Sequence, residues 1–276
     1  MPLAQVMGIV NRTPDSFYDR GVTFGIDEAL QRCDEVVEQG ASIVDVGGVK
    51  AGPGSEVSAS EEADRVLPVI RAVAERHPGV TISVDTWRAS VAEEAIAAGA
   101  GLINDTWAGY DPELVEVAGQ FRVGYVCSHT GGAVPRTRPH RVHYDDVVAS
   151  VIAETTTLAE RAVSCGVPEA RVFIDPTHDF GKNTFHGLEL LRRIDEIVAT
   201  GWPVLMALSN KDFIGETTDR PVGERLPGTL AATAWSAARG VAAFRVHEVR
   251  ETVDVLRMTA AIAGTHAPLN TVRGLA

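Results

Sequence analysis

Polar side chains of types that bind ligands follow short apolar runs throughout the chain. Asp85, Asn104 and Asp175 each come directly after a run that is rich in β-branched residues. Carboxylates and a carboxamide at such positions can together read the adjacent donors and acceptors on the edge of a flat heterocycle. Asp and Asn also serve as helix caps and turn residues, so each one alone is weak evidence. The three together favour one site of ligand recognition.

Cationic side chains follow the last two apolar runs. Arg245 and His247 are two residues apart, which places both on one face of a strand, where they can converge on an anionic ligand. An ion pair with Asp or Glu at the rim of the sheet is the alternative for both. Lys211 follows the seventh run and could reach the edge or the face of the same ligand, whereas the alternative is a lysine in solvent. These residues supply positive charge to the recognition site.

The apolar runs that position these residues read as eight strands. They cover residues 6–10, 42–44, 81–84, 101–103, 123–127, 172–174, 202–208 and 242–244. Continuous apolar runs without alternation are typical of parallel strands that are covered on both faces. Apolar residues at helical spacing occur in the intervening segments 27–39, 60–76, 87–98, 111–120, 145–165, 187–199, 227–239 and 248–263.

This order of elements predicts an α/β fold, a single (β/α)8 TIM barrel, whose chemistry gathers at the C-terminal ends of the strands. A doubly wound open sheet shows the same alternation of strand and helix, but the strand count favours the barrel. The length of 276 residues is near the roughly 250 residues typical of a TIM barrel. We therefore expect one domain over residues 1–276.

Composition argues against several classes of partner. A formal net charge of -12 disfavours nucleic-acid binding, which needs clustered Lys and Arg. No apolar stretch reaches the roughly 18 residues of a membrane span, and the N-terminus lacks the basic region of a signal peptide. Cys33, Cys127 and Cys165 have no zinc-site spacing, which predicts reduced packing residues in a cytoplasmic protein.

Six blocks of the sequence resemble the dihydropteroate synthase family in order and spacing. The first reads Met-Gly-Ile-Val-Asn-Arg-Thr-Pro-Asp-Ser-Phe over residues 7–17, and the second ends in Asp-Val-Gly-Gly at 45–48. The others cover residues 83–86, 103–105, 174–176 with 180–182, and 245–249. A single Thr-Pro-Asp-Ser motif would be weak evidence, but six blocks in register span nearly the whole chain.

The resemblance implies a TIM barrel that binds 6-hydroxymethyl-7,8-dihydropterin pyrophosphate and joins the pterin to p-aminobenzoate, with Mg²⁺ assisting the release of pyrophosphate. It implies that the pterin is bound by Asp85, Asn104, Asp175 and Lys211. It implies that the diphosphate is bound by Asn11, Arg245 and His247. Asn11 also resembles the Mg²⁺-linked asparagine of the family, with an Asx turn as the alternative. The candidate catalytic residues are Lys211, Arg245 and His247, since stabilising the leaving charge requires no side-chain nucleophile.

The chain departs from the family where the second substrate should bind. The family usually reads Glu-Ser-Thr-Arg where this chain has Val49, Lys50, Ala51 and Gly52, and it reads Ser-Arg-Lys-Ser where this chain has Asn210 and Asp212 around Lys211. Two carboxylates about 4 Å apart repel by roughly 1 to 4 kcal/mol, and a lost charged hydrogen bond adds about 1.5 to 3 kcal/mol. Residues 177–179, Thr-His-Asp, also replace a glycine-rich turn. These altered positions predict weak or absent use of p-aminobenzoate.

Three functional hypotheses follow. The favoured one is a diverged paralogue that binds the pterin pyrophosphate but has weak or no synthase activity. The second is an active synthase in which Lys50, Arg12 or another basic residue compensates for the lost groups. The third is a noncatalytic pterin-binding or partner-regulating protein. A pterin-using methyltransferase is less favoured because residues 13–17 resemble the synthases more closely. The resemblance also implies a homodimer, with small-residue surfaces at 230–238 and 258–263 for close helix approach.

Overall fold

Eight parallel strands form the centre of the molecule in a computed structural model that describes residues 3–13, 25–137 and 143–273. The strands are β1 (Gln5–Asn11), β2 (Ile43–Gly47), β3 (Thr81–Asp85), β4 (Leu102–Asp105), β5 (Gly124–Ser128), β6 (Val172–Asp175), β7 (Leu205–Met206) and β8 (Ala243–Val246). Each of them falls at a predicted apolar run. Residues 14–17 of the first resemblance block lie outside the described residues.

The sheet closes into a barrel. Strand β1 pairs with β2 on one side and with β8 on the other, and the remaining order runs from β2 to β6 and from β8 to β7. The two ends of this order meet, because Ile174 forms a bridge to Val204 and its N–H donates to the Pro203 carbonyl at 2.9 Å. The TIM barrel is therefore confirmed, and the open-sheet alternative is wrong.

Side chains inside the barrel are arranged in layers, as the alternation of side chains along a strand requires. The lower layer is apolar and consists of Met7, Ile43, Leu102, Val126, Leu205 and Ala243, with Phe173 packed against it. Two residues further along six of these strands, the inward-facing positions are Ile9, Asp45, Asn104, Ser128, Asp175 and Arg245. Residues i and i+2 of a strand face the same side, so the second set lies directly above the apolar layer. Most of these residues are polar, and they therefore lie together at the C-terminal mouth of the barrel.

Helices cover the outside of the barrel. They are α1 (Ile26–Glu38), α2 (Ala59–Arg76), α3 (Ala89–Ala97), α4 (Leu114–Phe121), α5 (Val147–Cys165), α6 (Thr184–Arg192), α7 (Ile194–Val198), α8 (Asp212–Thr218), α9 (Leu226–Ala237) and α10 (Val249–Ile262). Their apolar stripes pack on the outer faces of the strands, where Val36, Ile70 and Val148 are fully buried. This outer core explains why the strands read as continuous apolar runs.

Two details differ from the sequence prediction. The single helix predicted over 187–199 is interrupted at Arg193, whose ψ of 23° is not helical and whose guanidinium forms ion pairs with Asp146 and Glu196. The apolar spacing continues across the break, so periodicity alone could not locate it. Helix α8 was not predicted, because only Phe213, Ile214 and Gly215 are buried in it and three positions are too few to establish a period.

The three cysteines are free thiols: Cys33 and Cys127 are buried in the outer core, and Cys165 packs against it. Within the described ranges, no helix combines the length and apolar character that crossing a membrane requires.

Candidate functional site

A cavity of about 730 Å³ opens at the C-terminal ends of the strands. It contains ten of the residues that the sequence analysis selected: Asn11, Val49, Lys50, Ala51, Gly52, Asp85, Lys211, Asp212, Arg245 and His247. Its other lining residues include Asp179, Phe180, Lys182, Phe185 and Trp107. The fold therefore brings together side chains from both ends of the sequence at one mouth of the barrel.

The guanidinium of Arg245 is held between two carboxylates across the barrel mouth. Its Nε donates to Asp45 Oδ2 at 2.6 Å and its Nη2 donates to Asp85 Oδ2 at 2.8 Å. Asp45 also accepts from Ser83 Oγ at 2.5 Å and from Asn104 Nδ2 at 3.1 Å. Burial raises the pKa of Asp85 to about 7, and the charge of Arg245 offsets part of that effect. Of this network, Asp85 and Arg245 line the cavity, whereas Asp45, Ser83 and Asn104 lie buried behind them.

Asp45 was missed as a site residue. It lies on β2 with no exposed surface, and three different side chains donate to its carboxylate. A charged residue inside an otherwise apolar strand was the available signal, because a buried carboxylate needs partners. The sequence could not name those partners, which come from β3, β4 and β8.

Asn104 and Asp175 are buried beside the cavity and are not part of its lining. The carboxamide oxygen Oδ1 of Asn104 has no hydrogen-bond partner among the described residues. A buried acceptor without a partner is rare and costly, so this oxygen is an unused acceptor next to the Asp45–Arg245–Asp85 network. The Oδ1 atom of Asp175 accepts from the Thr177 N–H at 2.8 Å, and burial raises the pKa of this carboxyl group.

Two lysines lie at the loop after β6, Lys182 within it and Lys211 next to it. The ammonium of Lys211 is 3.5 Å from Asp179 Oδ2 and 5.8 Å from the centre of the Phe180 ring. Lys182 donates to the backbone carbonyls of His129, Thr177 and Phe180 at 2.9, 3.1 and 3.0 Å. Burial lowers the pKa of Lys182 to about 7. Lys182 therefore ties the loops after β5 and β6 together, a structural role that its place in the sequence did not reveal.

The altered acceptor positions divide into two groups. Residues Val49, Lys50, Ala51 and Gly52 line the cavity from the loop after β2. Asn210 does not line it: this residue has a positive φ of 58°, and its Nδ2 donates to Glu248 Oε1 at 2.8 Å. Asp212 lines the cavity, but its Oδ1 accepts from Arg225 Nη1 at 2.9 Å. The negative charge of Asp212 is thus partly compensated, which the sequence analysis did not foresee.

His247 and Asn11 lie at the cavity rim. The Nδ1 atom of His247 is 2.9 Å from Ser209 Oγ, which in turn donates to Glu248 Oε2 at 2.8 Å. A methyl group added at Gly47 would lie 3.4 Å from Asn11 Oδ1 and 3.7 Å from Asp85 Oδ2, so both oxygens flank this glycine. No three His, Cys, Asp or Glu side chains form a metal-binding group within the described part of the chain.

Comparison with known proteins agrees with this architecture. A family model described as pterin binding enzyme matches residues 7–247. The chain is 58% identical over 275 residues to a protein of Mycobacterium leprae named inactive dihydropteroate synthase 2, covering 98% of this chain and 94% of that one. It is 39% identical over 255 residues to the dihydropteroate synthase of Bacillus subtilis, covering 92% of this chain and 86% of that one.

A solved structure shares the fold, at a sequence identity close to that of the Bacillus subtilis protein. The dihydropteroate synthase of Yersinia pestis, solved with a sulfonamide drug complex, superposes with a TM-score of 0.90 at 35% identity and covers 96% of this chain and 97% of its own. The family match at residues 7–247 begins within β1, extends past the end of β8 and contains Asp45, Asp85, Asn104 and Arg245. The chain belongs to the pterin-binding enzyme family, as a diverged paralogue within the dihydropteroate synthase group.

Proposed function

We propose that this protein binds 6-hydroxymethyl-7,8-dihydropterin pyrophosphate and has weak or absent synthase activity toward p-aminobenzoate. The observation that carries the proposal is the unsatisfied Oδ1 of Asn104, buried beside the Asp45–Arg245–Asp85 network. A pterin offers ring and exocyclic N–H donors next to carbonyl acceptors, the complement of a carboxamide flanked by carboxylates. The named relative of M. leprae, described as inactive, supports the second half of the proposal.

The pterin ring is proposed to contact four residues, which are Asp85, Asn104, Asp175 and Lys211. Asp175 is 2% exposed, so a hydrogen bond from a ligand N–H to its carboxylate would form away from bulk water. Such charge-assisted bonds are about twice as strong as neutral ones. Lys211 lines the cavity and would donate to a ring acceptor while its ammonium stays near Asp179.

The diphosphate is proposed to contact Asn11, Arg245 and His247 at the rim. Two carboxylates already hold Arg245, so its guanidinium is oriented before the ligand arrives. Asn11, which lines the cavity, would supply an oxygen ligand to Mg²⁺, since this ion usually keeps several waters and takes its other ligands from phosphate oxygens. A bound Mg²⁺ would supply charge neutralisation for the diphosphate. In any residual turnover, Lys211, Arg245 and His247 would be the catalytic residues that stabilise the leaving group.

Weak use of p-aminobenzoate has a specific basis in the cavity wall. Ala51 and Gly52 offer no side-chain donor where the family usually has Thr and Arg. Asn210 faces Glu248 and supplies no donor to the cavity lining. Among the altered residues that line the cavity, Lys50 alone carries a positive charge, and a lysine lacks the two-pronged geometry of arginine. The acceptor carboxylate would therefore bind with fewer charge-assisted hydrogen bonds.

The deciding experiment is a pair of calorimetric titrations of the purified protein. The pterin pyrophosphate, added with Mg²⁺, should bind with a measurable dissociation constant, whereas p-aminobenzoate should bind weakly with or without it. Turnover is followed against an authentic synthase under identical conditions. Similar kcat/KM for p-aminobenzoate would support the active-synthase alternative, and the absence of pterin binding would contradict the proposal altogether. Copurification with an active synthase, without turnover, would favour the partner-regulating alternative.

A homodimer in the cytoplasm is also proposed. Helices α9 and α10 pack against each other and expose three large apolar side chains, those of Trp235, Met258 and Ile262. Exposed apolar residues grouped on adjacent helices are typical of a protein interface. The three free cysteines support a reducing compartment.

A further inference from the structure

We propose that the outer half of the cavity, lined by Ala51, Asp179, Phe180, Phe185, Lys211 and Asp212, accepts an uncharged aromatic amine and discriminates against an aromatic carboxylate. Asp179 is the residue that determines this preference. The inference rests on the proposed function, because the pterin would occupy the inner half beside Asp85. It adds the chemical class of the second ligand.

The first observation is the ion pair between Asp179 and Lys211. Asp179 Oδ2 lies 3.5 Å from Lys211 Nζ, and both side chains line the cavity. An incoming carboxylate would compete with Asp179 for the same ammonium and would lie close to a like charge. Juxtaposed like charges are a common means of excluding the wrong partner.

The second observation is that the neighbouring carboxylate is also paired. Asp212 Oδ1 accepts from Arg225 Nη1 at 2.9 Å, and the Arg225 side chain is only 11% exposed. The two acidic residues of the outer half are therefore balanced by cations of the protein itself. A ligand with no charge of its own leaves both pairs intact, whereas a carboxylate that takes Lys211 as its partner disturbs the pair with Asp179.

The third observation is the aromatic character of the remaining wall. Phe180 packs edge to face with Trp107, with ring centres 4.8 Å apart, and Ala51 packs against the same cluster. Phe185 lines the cavity and is 78% exposed, unusually high for a phenylalanine. Flat apolar surfaces of this kind suit an aromatic ring. The wall can thus bind the ring of an arylamine without requiring a carboxylate.

A matched pair of ligands tests the inference. The full-length protein is first saturated with 6-hydroxymethylpterin and pyrophosphate, which together provide no leaving group for transfer. It is then titrated with p-aminobenzoate and with p-aminobenzamide, which have the same ring and amine but differ in charge. We expect p-aminobenzamide to bind at least about tenfold more tightly, because p-aminobenzoate must compete with Asp179 for Lys211 and lie near a like charge.

The variant Asp179→Asn removes the charge while keeping the shape of the side chain. It should tighten p-aminobenzoate binding by about tenfold and change p-aminobenzamide binding by less than about threefold. The control Asp212→Asn should change the ratio of the two affinities much less, because its partner Arg225 does not line the cavity and a ligand carboxylate there cannot compete for it. Circular dichroism and 6-hydroxymethylpterin binding establish that each variant is folded.

The titrations distinguish a failure of the proposed function from a failure of the inference about the outer half. If 6-hydroxymethylpterin does not bind the wild-type protein, the proposed function fails before the amines are compared. If the pterin binds but the two amines have equal affinity, or neither binds, the inference about the outer half is overturned and the proposed function stands. An equal change in the affinities of both amines in Asp179→Asn would also overturn the inference, because the charge of the ligand would then not be the property that is recognised.

Discussion

At the scale of single residues, the site is governed by buried charges and their partners. Arg245 bridges Asp45 and Asp85, Lys182 donates to three carbonyls, and the ring nitrogens of His178 have no partner among the described residues. Satisfied groups of this kind make the cavity rigid, whereas unsatisfied ones mark a ligand contact or a cost in stability. Two predictions concern such residues.

Replacing Asp175 with Ala should weaken binding of the pterin pyrophosphate by about 2 to 3 kcal/mol, because it removes a charge-assisted acceptor from a desolvated ligand edge. Isothermal titration calorimetry measures the change. Asp64→Ala, at an exposed carboxylate of α2, is the matched control and should bind as the wild type does. An unchanged dissociation constant for Asp175→Ala would remove this residue from the pterin site.

His178 should make the fold sensitive to acid. Burial lowers the pKa of His178 to about 3, below its ordinary value near 6.5. The unfolded chain then binds a proton that the folded chain does not, so stability is lost as the pH falls from about 6.5 toward 3. His178→Phe keeps the aromatic contact with Phe213 and cannot titrate. At pH 4 it should retain up to about 3 kcal/mol of the stability that the wild type loses.

Urea unfolding between pH 4 and pH 7 measures this difference. His266→Phe, at an exposed histidine near the C-terminus, serves as the control and should leave the pH dependence as it is in the wild type. Parallel pH profiles for the wild type and His178→Phe would show that the imidazole of His178 does not contribute.

At the scale of elements, close approach between strands and helices sets the barrel geometry, and the loops after β2 and β7 set the acceptor wall. Gly8 on β1 lies against both α1 and α10: a Cβ at this position would be 2.9 Å from Val36 Cβ and 3.2 Å from Val249 Cγ2. The loop after β7 holds Asn210 in a left-handed conformation, which turns its side chain toward Glu248. Each feature yields a prediction.

Gly8→Ala should destabilise the protein by about 1 to 3 kcal/mol, because the added methyl group overpacks β1 against two helices. Thermal or urea unfolding measures the loss. Gly79→Ala provides the matched control, since a Cβ there would meet no atom within 4 Å. Wild-type stability in Gly8→Ala would mean that α1 and α10 can move apart without cost.

Rebuilding the acceptor wall should recover use of p-aminobenzoate only in part. The triple variant Ala51→Thr, Gly52→Arg and Asp212→Ser restores groups at positions that line the cavity. We expect it to exceed Asp212→Ser alone, with non-additive effects because the groups share one ligand. Adding Asn210→Arg should raise kcat/KM for p-aminobenzoate little further, because position 210 faces Glu248 and a positive φ strains most side chains. Steady-state kcat/KM tests the series, and full recovery in Asp212→Ser alone would contradict this account.

At the scale of the whole molecule, one end of the barrel holds the cavity while late helices expose an apolar face. Met258 is 61% exposed and Ile262 is 75% exposed, both on α10. Trp235 on α9 is half exposed and is covered by the stacked guanidinium of Arg239, 3.3 Å from its ring centre. The proposed dimer would bury this face and leave the cavity open.

Light scattering should therefore give twice the monomer mass at micromolar concentration. Ile262→Glu should shift the protein toward the monomer, because it places a charge in the proposed interface. The pterin affinity should stay the same if the cavity is independent of that contact. Leu269→Glu, at another exposed apolar residue outside α9 and α10, is the control. A monomeric wild type would refute the dimer.

Local pattern sufficed to predict the eight strands, most of the helices and the polar residues at the strand ends, since burial on both faces and i, i+2 alternation act within a few residues. The family resemblance added the roles expected of those residues. The pattern could not detect the break at Arg193, because the apolar period continues across it. It could not detect the short helix α8, because this helix has too few buried positions to establish a period.

The partners of the charged side chains were decided only by the tertiary structure. Asp45 and Arg245 are 200 residues apart in sequence and 2.6 Å apart in space. In the same way, Arg225 compensates Asp212, and Asp179 occupies Lys211. Charge pairing depends on distances of a few ångströms, which barrel closure and loop conformation set. The sequence therefore determined which chemistry was present, and the closed barrel determined which charges face a ligand.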